Sequence, residues 1–341
     1  MRYLLMSALL LTILGNADAQ SLQFKSSVEP RSTDNLAGPC AFDFSIPAPQ
    51  KPVRTVWVTY DRGYDISRYY NDPEVVTFAE KHAIALMLAH QCPAKSPPTL
   101  EQGEMDMDPS HGIGRSIFAA LDDFAQQCGH PELSSAKLIV LGFSGTGALF
   151  ANFVRYAPDR VLAAILTNPG QSEPYGMNRI DLPSEALIVP QFIIVGATDN
   201  RAGTEFPYGY FRRHWDRGAP WIFLVQNGVG HCCVINAKTL ILEWLNEIIK
   251  VRESSSGDVS LKMDDRKGWV GFIHPCDTAQ RDGKGQPLWH VCSASVQPTG
   301  HTAPSDQQVA GWFPTRKLAQ DWLAFIQQQQ HPANSFPNQP Q

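Results

Sequence analysis

The sequence has no excess of positive charge and few long apolar runs. Its 341 residues hold 28 Lys and Arg against 33 Asp and Glu, which gives a formal net charge of −5. A protein that binds nucleic acid needs a basic face to neutralise phosphates, so we expect no nucleic-acid partner. Beyond the first twenty residues no apolar segment approaches the length of a membrane span, so we expect no stable membrane anchor.

Metal-ligand motifs are also missing from the sequence. The densest group of acidic residues lies in one loop near His111, at Glu101, Glu104, Asp106 and Asp108. Calcium sites draw their oxygen ligands from a regular spacing, which this loop does not have. The pattern is typical of a solvated loop, and we expect neither a metal nor another cofactor.

The first nineteen residues differ in composition from the rest of the chain. Arg2 provides a positive start, residues 4–14 form an apolar core, and Ala17-Asp18-Ala19 is a small-x-small cleavage pattern. This combination predicts a secretory signal peptide over residues 1–19 and a secreted or periplasmic protein, with an uncleaved anchor as the alternative.

Seven cysteines in an exported chain predict disulfide bonds. Cys276 and Cys292, sixteen residues apart, are the favoured pair. Cys40, Cys92 and Cys128 offer a second bond. Connectivity does not follow from sequence alone, so the choice among these three stays open.

Between residues 51 and 253, short aliphatic segments alternate with amphipathic ones. The aliphatic segments predict strands at 53–60, 83–89, 137–141, 162–166, 191–195 and 221–225. The amphipathic segments predict helices at 73–82, 113–127, 148–156, 208–216 and 237–251. This alternation predicts an α/β core with a mainly parallel central sheet and helices on both faces.

The segments on either side of this core have another composition. Residues 20–50 are polar and Pro-rich and predict an extended entry segment. After a Ser-rich linker, residues 258–327 predict a small C-terminal extension or lid that packs on the core, with its three tryptophans in packing contacts. Residues 328–341 are rich in Gln, Pro and Asn and predict a disordered tail.

One serine lies in a sharp turn between a predicted strand and a predicted helix, in Gly142-Phe143-Ser144-Gly145-Thr146-Gly147. This layout is typical of a nucleophile elbow, which raises the hydroxyl above the sheet edge beside backbone N–H groups and the positive helix end. A dinucleotide-binding loop is the alternative for these glycines. It requires an acidic residue after the next strand, and that strand ends at Leu166-Thr167-Asn168.

A serine nucleophile needs a base and an acid that orients the base. Two candidates follow predicted strands: Asp199 after residues 191–195, and His231 after residues 221–225. The carboxyl ends of parallel strands meet at one edge of a sheet, so we expect Ser144, Asp199 and His231 to converge. Their chain order is that of an α/β-hydrolase.

The same edge of the sheet is the expected place for an oxyanion hole. The backbone N–H of Gly145 is the natural first donor, because it follows the nucleophile at the start of a helix. The second donor is expected in the turn after the strand that ends at Tyr60, from the backbone of Tyr60 or Asp61.

These motifs resemble those of secreted α/β-hydrolases of the esterase and polyhydroxybutyrate-depolymerase-like type. The likeness covers roughly residues 50–251 and rests on residues 142–145, on Gly196-Ala197-Thr198-Asp199 and on Gly218-Ala219-Pro220-Trp221 leading to His231. It implies the α/β-hydrolase fold and action on carboxylic esters without a cofactor, with Ser144, Asp199 and His231 as nucleophile, acid and base.

The sequence departs from that family at two positions. Thr146 stands where the elbow motif has glycine, which crowds the turn. Phe143 stands where tannase and feruloyl esterase relatives carry a cysteine that bridges to the residue after the histidine, here Cys232. That family disulfide is therefore not expected.

The sequence thus predicts an exported serine hydrolase that cleaves a small-molecule or polymeric ester through an acyl-enzyme. Two alternatives stay open. The same triad cleaves amides or peptides, since both reactions pass through the same tetrahedral oxyanion. In the second alternative, the chain is a catalytically inactive α/β-hydrolase fold that serves as a binding protein.

Overall fold

The computed structural model describes residues 21–61, 66–90, 92–93, 95, 108–170, 176–231, 235–252, 267–301 and 304–330. The predicted signal peptide, the tail beyond residue 330, the vicinal cysteines Cys232 and Cys233 and most of the acidic loop lie outside these residues. In the part of the chain that is described, no helix is both long and apolar enough to cross a membrane.

Eleven strands of the described residues form a single sheet in the order β1-β2-β4-β3-β5-β6-β7-β8-β11-β9-β10. The strands of the core and of the segment before it are β1 Leu22–Val28, β2 Cys40–Ile46, β3 Thr55–Tyr60, β4 Ile84–Ala89, β5 Lys137–Phe143, β6 Val161–Thr167, β7 Gln191–Gly196 and β8 Ile222–Gln226. Those of the C-terminal extension are β9 Trp269–Arg281, β10 Pro287–Pro298 and β11 Gln308–Phe313.

Strands β3 to β8 pair in parallel, and nearly every one of their residues is buried. Successive side chains of a strand point to opposite faces, so both faces of this sheet are covered. The helices are α1 Pro73–His82, α2 Ile113–Cys128, α3 Gly145–Tyr156, α4 Ser184–Leu187, α5 Glu205–Trp215, α6 Lys238–Arg252 and α7 Arg316–Gln330. This strand order, with a serine turn after β5, confirms the predicted α/β-hydrolase fold.

The segment before the core adds two antiparallel strands to the sheet. β1 pairs with β2, and β2 pairs with β4. Phe44 of β2 stacks on Phe124 of α2, with ring centroids 4.4 Å apart. A disulfide joins Cys40 to Cys92, which selects that bond among the three cysteines left open by the sequence. Cys128 is the unpaired thiol among the described cysteines.

The C-terminal extension continues the sheet at its other edge. β9 and β10 form a long antiparallel hairpin closed by the predicted Cys276–Cys292 disulfide. β11 lies between this hairpin and β8, and Gly311 permits the approach because a Cβ there would lie 2.8 Å from the Ile222 Cα. The helix α7 runs through residues 328–330, which the sequence placed in the tail.

The tryptophans of the extension take the packing role that the sequence predicts. Trp289 and Trp312 are buried, at 6% and 4% exposure. Trp269 is half-buried, and the Arg316 guanidinium lies over its ring at 5.4 Å. These three side chains therefore contribute to the packing of the extension.

A fully buried histidine ties α5 to the loop before α4. The Nδ1 atom of His214 donates to the Tyr210 carbonyl oxygen at 2.7 Å, and its Nε2 atom accepts the Leu182 N–H at 3.1 Å. This pair of bonds requires the neutral imidazole, because the imidazolium has no acceptor nitrogen. Burial accordingly lowers the pKa of His214.

We expect this histidine to make the fold less stable in mild acid. The pKa of His214 is lower in the folded chain than in the unfolded chain, where it is about 6.5. Below pH 6.5 the unfolded state therefore binds more protons, and stability falls by up to about 1.4 kcal/mol per pH unit. The hydrogen bond to the Tyr210 carbonyl oxygen and the exposed Asp181 oppose this lowering of the pKa, whereas Arg213 and Arg217 add to it.

Urea unfolding between pH 7.5 and pH 5.5 measures this dependence. Replacing His214 by glutamine removes the titrating group and should flatten the slope, whereas the same change at exposed His301 should leave the slope as in the parent. An equal slope in the His214→Gln protein would show that other groups cause the acid sensitivity.

Candidate active site

Ser144 occupies a strained turn between β5 and α3. Its backbone has φ 52° and ψ −120°, a region that non-glycine residues rarely adopt. Three hydrogen bonds hold the turn: the Ser144 N–H donates to Thr167 O at 3.0 Å, and Ser144 O accepts from Gly170 at 2.8 Å and Ala148 at 3.2 Å. A Cβ on Gly142 would lie 2.3 Å from the Thr146 carbonyl oxygen, so the turn closes only with glycine there.

The threonine that departs from the elbow motif is part of the same turn. Thr146 is buried, and its Oγ1 atom accepts the Phe143 N–H at 2.9 Å. The hydroxyl lies 2.9 Å from the Phe143 carbonyl oxygen and 3.3 Å from that of Tyr60, to which it can donate. The side chain thus ties the ends of β5 and β3 together, and the turn accommodates a threonine at this position.

Replacing Thr146 by valine tests this role. Valine has nearly the same shape but leaves the buried Phe143 N–H without its acceptor, which should lower the free energy of unfolding by about 1–3 kcal/mol. Urea unfolding followed by tryptophan fluorescence measures the change. The exposed Thr239→Val variant is the matched control and should stay within about 0.5 kcal/mol of the parent.

Ser144, His231 and Asp199 form a continuous chain of hydrogen bonds. The Ser144 Oγ atom lies 3.0 Å from His231 Nε2. His231 Nδ1 lies 2.9 Å from Asp199 Oδ2 and 3.0 Å from Oδ1. Because a carboxylate accepts, Nδ1 carries the proton and Nε2 is left to accept from the serine hydroxyl. The Asp199 side chain is fully buried, and that of His231 is 11% exposed.

The Asp199 carboxylate is fixed by its own loop as well as by the histidine. Its Oδ1 atom accepts the N–H groups of Arg201 at 2.8 Å and of Ala202 at 2.9 Å. The carboxylate therefore accepts backbone N–H groups of its own loop on one side. The histidine occupies the other side.

The loop that carries His231 lies directly against the loop that carries Asp199. We name residues 227–231 the base loop and residues 197–204 the acid loop. The Thr198 N–H donates to the Val229 carbonyl oxygen at 3.0 Å. A Cβ on Gly196 would lie 2.3 Å from that same oxygen, so the base loop requires glycine at the end of β7.

The position before the serine carries an aromatic contact in place of a cysteine. The ring of Phe143 lies 5.1 Å from the imidazole of His231, tilted by 49°. Phe143 is 3% exposed, so it forms an apolar wall beside the base. Cys232 itself lies outside the described residues.

The candidate oxyanion donors differ in their hydrogen bonding. Among the described residues, the Gly145 N–H at the start of α3 has no hydrogen-bond partner. The Asp61 N–H donates to the Ala89 carbonyl oxygen at 2.9 Å and so prolongs the β3–β4 ladder. The Tyr60 carbonyl faces Thr146, and residues 62–65 lie outside the described part of the chain.

The C-terminal extension contacts both the acid loop and the base loop. At the tip of the β9–β10 hairpin, the Gly283 N–H donates to the Asn200 carbonyl oxygen at 2.7 Å. In β10, Val291 exchanges two hydrogen bonds with the Asn227 side chain, at 3.2 and 3.3 Å. The extension thus supports the two loops from outside the core.

Two groups of residues have side chains of the types that ligate metals, and neither includes a residue of the triad. Within the described residues, Cys276, His290 and Cys292 come within 4.8 Å of one another, but the two cysteines are joined in a disulfide and offer no thiolate. In the acidic loop, the Asp108 carboxylate accepts from Ser110, and Glu101, Glu104 and Asp106 lie outside the described residues.

Gly196 and Asn168 lie at the carboxyl ends of strands, and the sequence gives neither of them a role of its own: Gly196 enters as part of the family motif and Asn168 as the last residue of a predicted strand end. Asn168 follows β6 directly, is 2% exposed and has φ 41°. Its side chain contacts the base loop. The criterion that identified Asp199 and His231, a polar residue in the turn that follows a strand, also applies to Asn168.

No known family profile matches the chain, and no curated protein sequence matches it. In structure it is similar to S-formylglutathione hydrolase from Agrobacterium tumefaciens, with 14% identity and a TM-score of 0.48 over 67% of this chain and 95% of that chain. It is also similar to fluorophosphonate-binding serine hydrolase F of Staphylococcus aureus, with 13% identity and a TM-score of 0.46 over 67% of this chain and 98% of that chain.

A third similar structure belongs to a much longer protein. It is a Bacteroides ovatus protein provisionally assigned as a dipeptidyl aminopeptidase IV, with 10% identity and a TM-score of 0.48 over 67% of this chain. This chain spans 36% of that protein's length. At such identities the likeness concerns the arrangement of strands and helices alone.

Proposed function

We propose that this protein is an exported serine hydrolase that cleaves a carboxylic ester through an acyl-enzyme intermediate. The observation that carries the proposal is the unbroken hydrogen-bond chain from Ser144 Oγ through His231 to the buried Asp199 carboxylate. The disulfides Cys40–Cys92 and Cys276–Cys292 are compatible with an oxidising compartment.

In the acylation step, Ser144 Oγ attacks the ester carbonyl carbon as His231 Nε2 takes the hydroxyl proton. The carbonyl oxygen becomes an oxyanion, for which the Gly145 N–H is the proposed first donor. A second donor from the backbone of Tyr60 or Asp61 stays a prediction, and for Asp61 it requires that the N–H leave its bond to the Ala89 carbonyl oxygen. Collapse of the intermediate breaks the ester C–O bond, and the leaving alkoxide takes the proton back from His231.

In the deacylation step, water replaces the alcohol. His231 removes a proton from the water as hydroxide adds to the acyl carbon. Collapse breaks the bond between the acyl carbon and Ser144 Oγ, Oγ takes the proton back from His231, and the carboxylic acid leaves. Asp199 keeps the imidazole in the Nδ1–H tautomer and stabilises the imidazolium in both steps. The proposed substrate is a small-molecule or polymeric ester.

Active-site labelling combined with a substrate panel tests this function. A fluorophosphonate probe should modify the folded protein at Ser144, as located by peptide mass spectrometry, and should not modify urea-denatured protein. The panel should contain short- and long-chain acyl esters, hydroxycinnamoyl esters, polyhydroxybutyrate and anilides. Faster anilide than ester turnover would assign the triad to an amidase, and a folded protein that takes no label would contradict a serine hydrolase.

A further inference from the structure

The segment that follows β6 contacts both the nucleophile and the base. Thr167 O accepts the Ser144 N–H at 3.0 Å, and the Gly170 N–H donates to Ser144 O at 2.8 Å. Between these two, the Asn168 side chain reaches the backbone of the base loop. One short stretch of chain, residues 167–170, therefore bonds to the main chain of both Ser144 and His231.

Every hydrogen-bonding group of the Asn168 amide is used. Its Nδ2 atom donates to the His231 carbonyl oxygen at 2.7 Å and to the Gly230 carbonyl oxygen at 3.3 Å. Its Oδ1 atom accepts the Gly196 N–H at 2.8 Å. Two carbonyl oxygens on one side and an N–H on the other define which end of the amide is oxygen and which is nitrogen.

No other common side chain of this size satisfies these three partners. Aspartate would turn a second oxygen toward the two carbonyl oxygens, and leucine offers neither donor nor acceptor. The backbone conformation favours the same choice, because asparagine is among the few non-glycine residues that adopt positive φ readily.

We propose that Asn168 is a positioning residue that sets the distance between His231 and Ser144. This inference deepens the proposed function and rests on it. Asn168 touches no reacting atom; it fixes the His231 main chain, while its neighbours Thr167 and Gly170 fix the main chain of Ser144. The 3.0 Å separation of Ser144 Oγ and His231 Nε2 depends on both sets of bonds.

Replacing Asn168 by alanine should lower kcat for an activated ester about 10-fold to 100-fold with KM within twofold of the parent, because a displacement near 1 Å at a reacting group has an effect of about this size. The matched control is Asn152→Ala, which also removes a buried asparagine, one bonded to Ala148 O within α3. We expect that variant to lose stability but to keep kcat.

A readout without substrate separates this inference from the proposed function. The Nδ1–H proton between His231 and Asp199 should give a far-downfield proton NMR resonance in the parent and in Asn152→Ala. The same resonance should be broadened or lost in Asn168→Ala. If the parent hydrolyses no ester but the resonance is present in the parent and in Asn152→Ala and is lost in Asn168→Ala, the proposed reaction is rejected and the role of Asn168 is retained.

Asn168→Asp provides the second variant. It keeps the acceptor for Gly196 but places a carboxylate beside His231, which favours the imidazolium and should move the acid limb of the kcat/KM profile to higher pH. A full-length, folded Asn168→Ala protein with parental kcat and an unchanged downfield resonance would overturn the proposal.

Discussion

Replacing Ser144 by alanine is expected to lower kcat for ester hydrolysis about 10⁶-fold, to the level left by binding and oxyanion stabilisation alone. The reason is that, in the proposed mechanism, the hydroxyl is the only group of the triad that forms a covalent bond to the acyl carbon. Alanine keeps the backbone hydrogen bonds of the turn, so the fold should persist. Initial rates with p-nitrophenyl acetate and fluorophosphonate labelling measure the loss.

A serine outside the site controls for the substitution itself. Ser110 is exposed, and its hydroxyl donates only to Asp108 among the bonds described for it, so Ser110→Ala should keep the parental kcat. A Ser144→Ala protein that retains more than about one hundredth of kcat, after repurification, would exclude Ser144 as the nucleophile.

Replacing Asp199 by asparagine should lower kcat about 10⁴-fold, which is the usual consequence of the wrong histidine tautomer. The N–H groups of Arg201 and Ala202 both donate to the Oδ1 position, so the asparagine amide must place its oxygen there. Its NH₂ group then occupies the Oδ2 position, 2.9 Å from His231 Nδ1. Two donors cannot face each other, so Nδ1 gives up its proton and Nε2–H points at Ser144.

Steady-state kinetics together with labelling distinguish this effect from misfolding. We expect the Asp199→Asn protein to retain its unfolding transition and to label with fluorophosphonate far more slowly than the parent. The exposed Asp159→Asn variant, with the same chemical change, should be indistinguishable from the parent in kcat. A loss of less than tenfold in Asp199→Asn would mean that another group orients His231.

The parallel core was predictable because its strands carry a signal in their own residues. A strand buried on both faces is a near-continuous aliphatic run, and β5, β6 and β7 each read that way. Once such strands are placed, their carboxyl ends locate Ser144, Asp199 and His231 without knowledge of any contact. The structure brings these three side chains into hydrogen-bond contact, and their catalytic roles stay a prediction until tested.

The antiparallel strands were not predictable in the same way. β9 alternates between buried, half-buried and exposed positions and contains a proline, so it has no aliphatic run. Its neighbour β11 lies beside β8 through Gly311 and Ile222, residues 89 positions apart. Such a pairing is decided by close backbone approach between distant segments, for which the local sequence holds no signal.

Single side chains with distant backbone partners were the other gap. Asn168 bonds to groups 28, 62 and 63 residues away, and Thr146 reaches Tyr60 across 86 residues. A motif states which residue types are usual at a turn. It does not predict that the hydroxyl of Thr146, at a position where glycine is usual, bonds to the backbone of Phe143 and Tyr60.

The position of β11 has a consequence for the order in which the molecule is completed. The ribosome makes β8 more than eighty residues before β11, its partner in the finished sheet. Until β11 is made, the nascent chain carries the whole triad but an open β8 edge, which is a site for wrong pairing with other chains. The proposed hydrolytic activity should therefore arise only after β11 has paired with β8 and closed that edge.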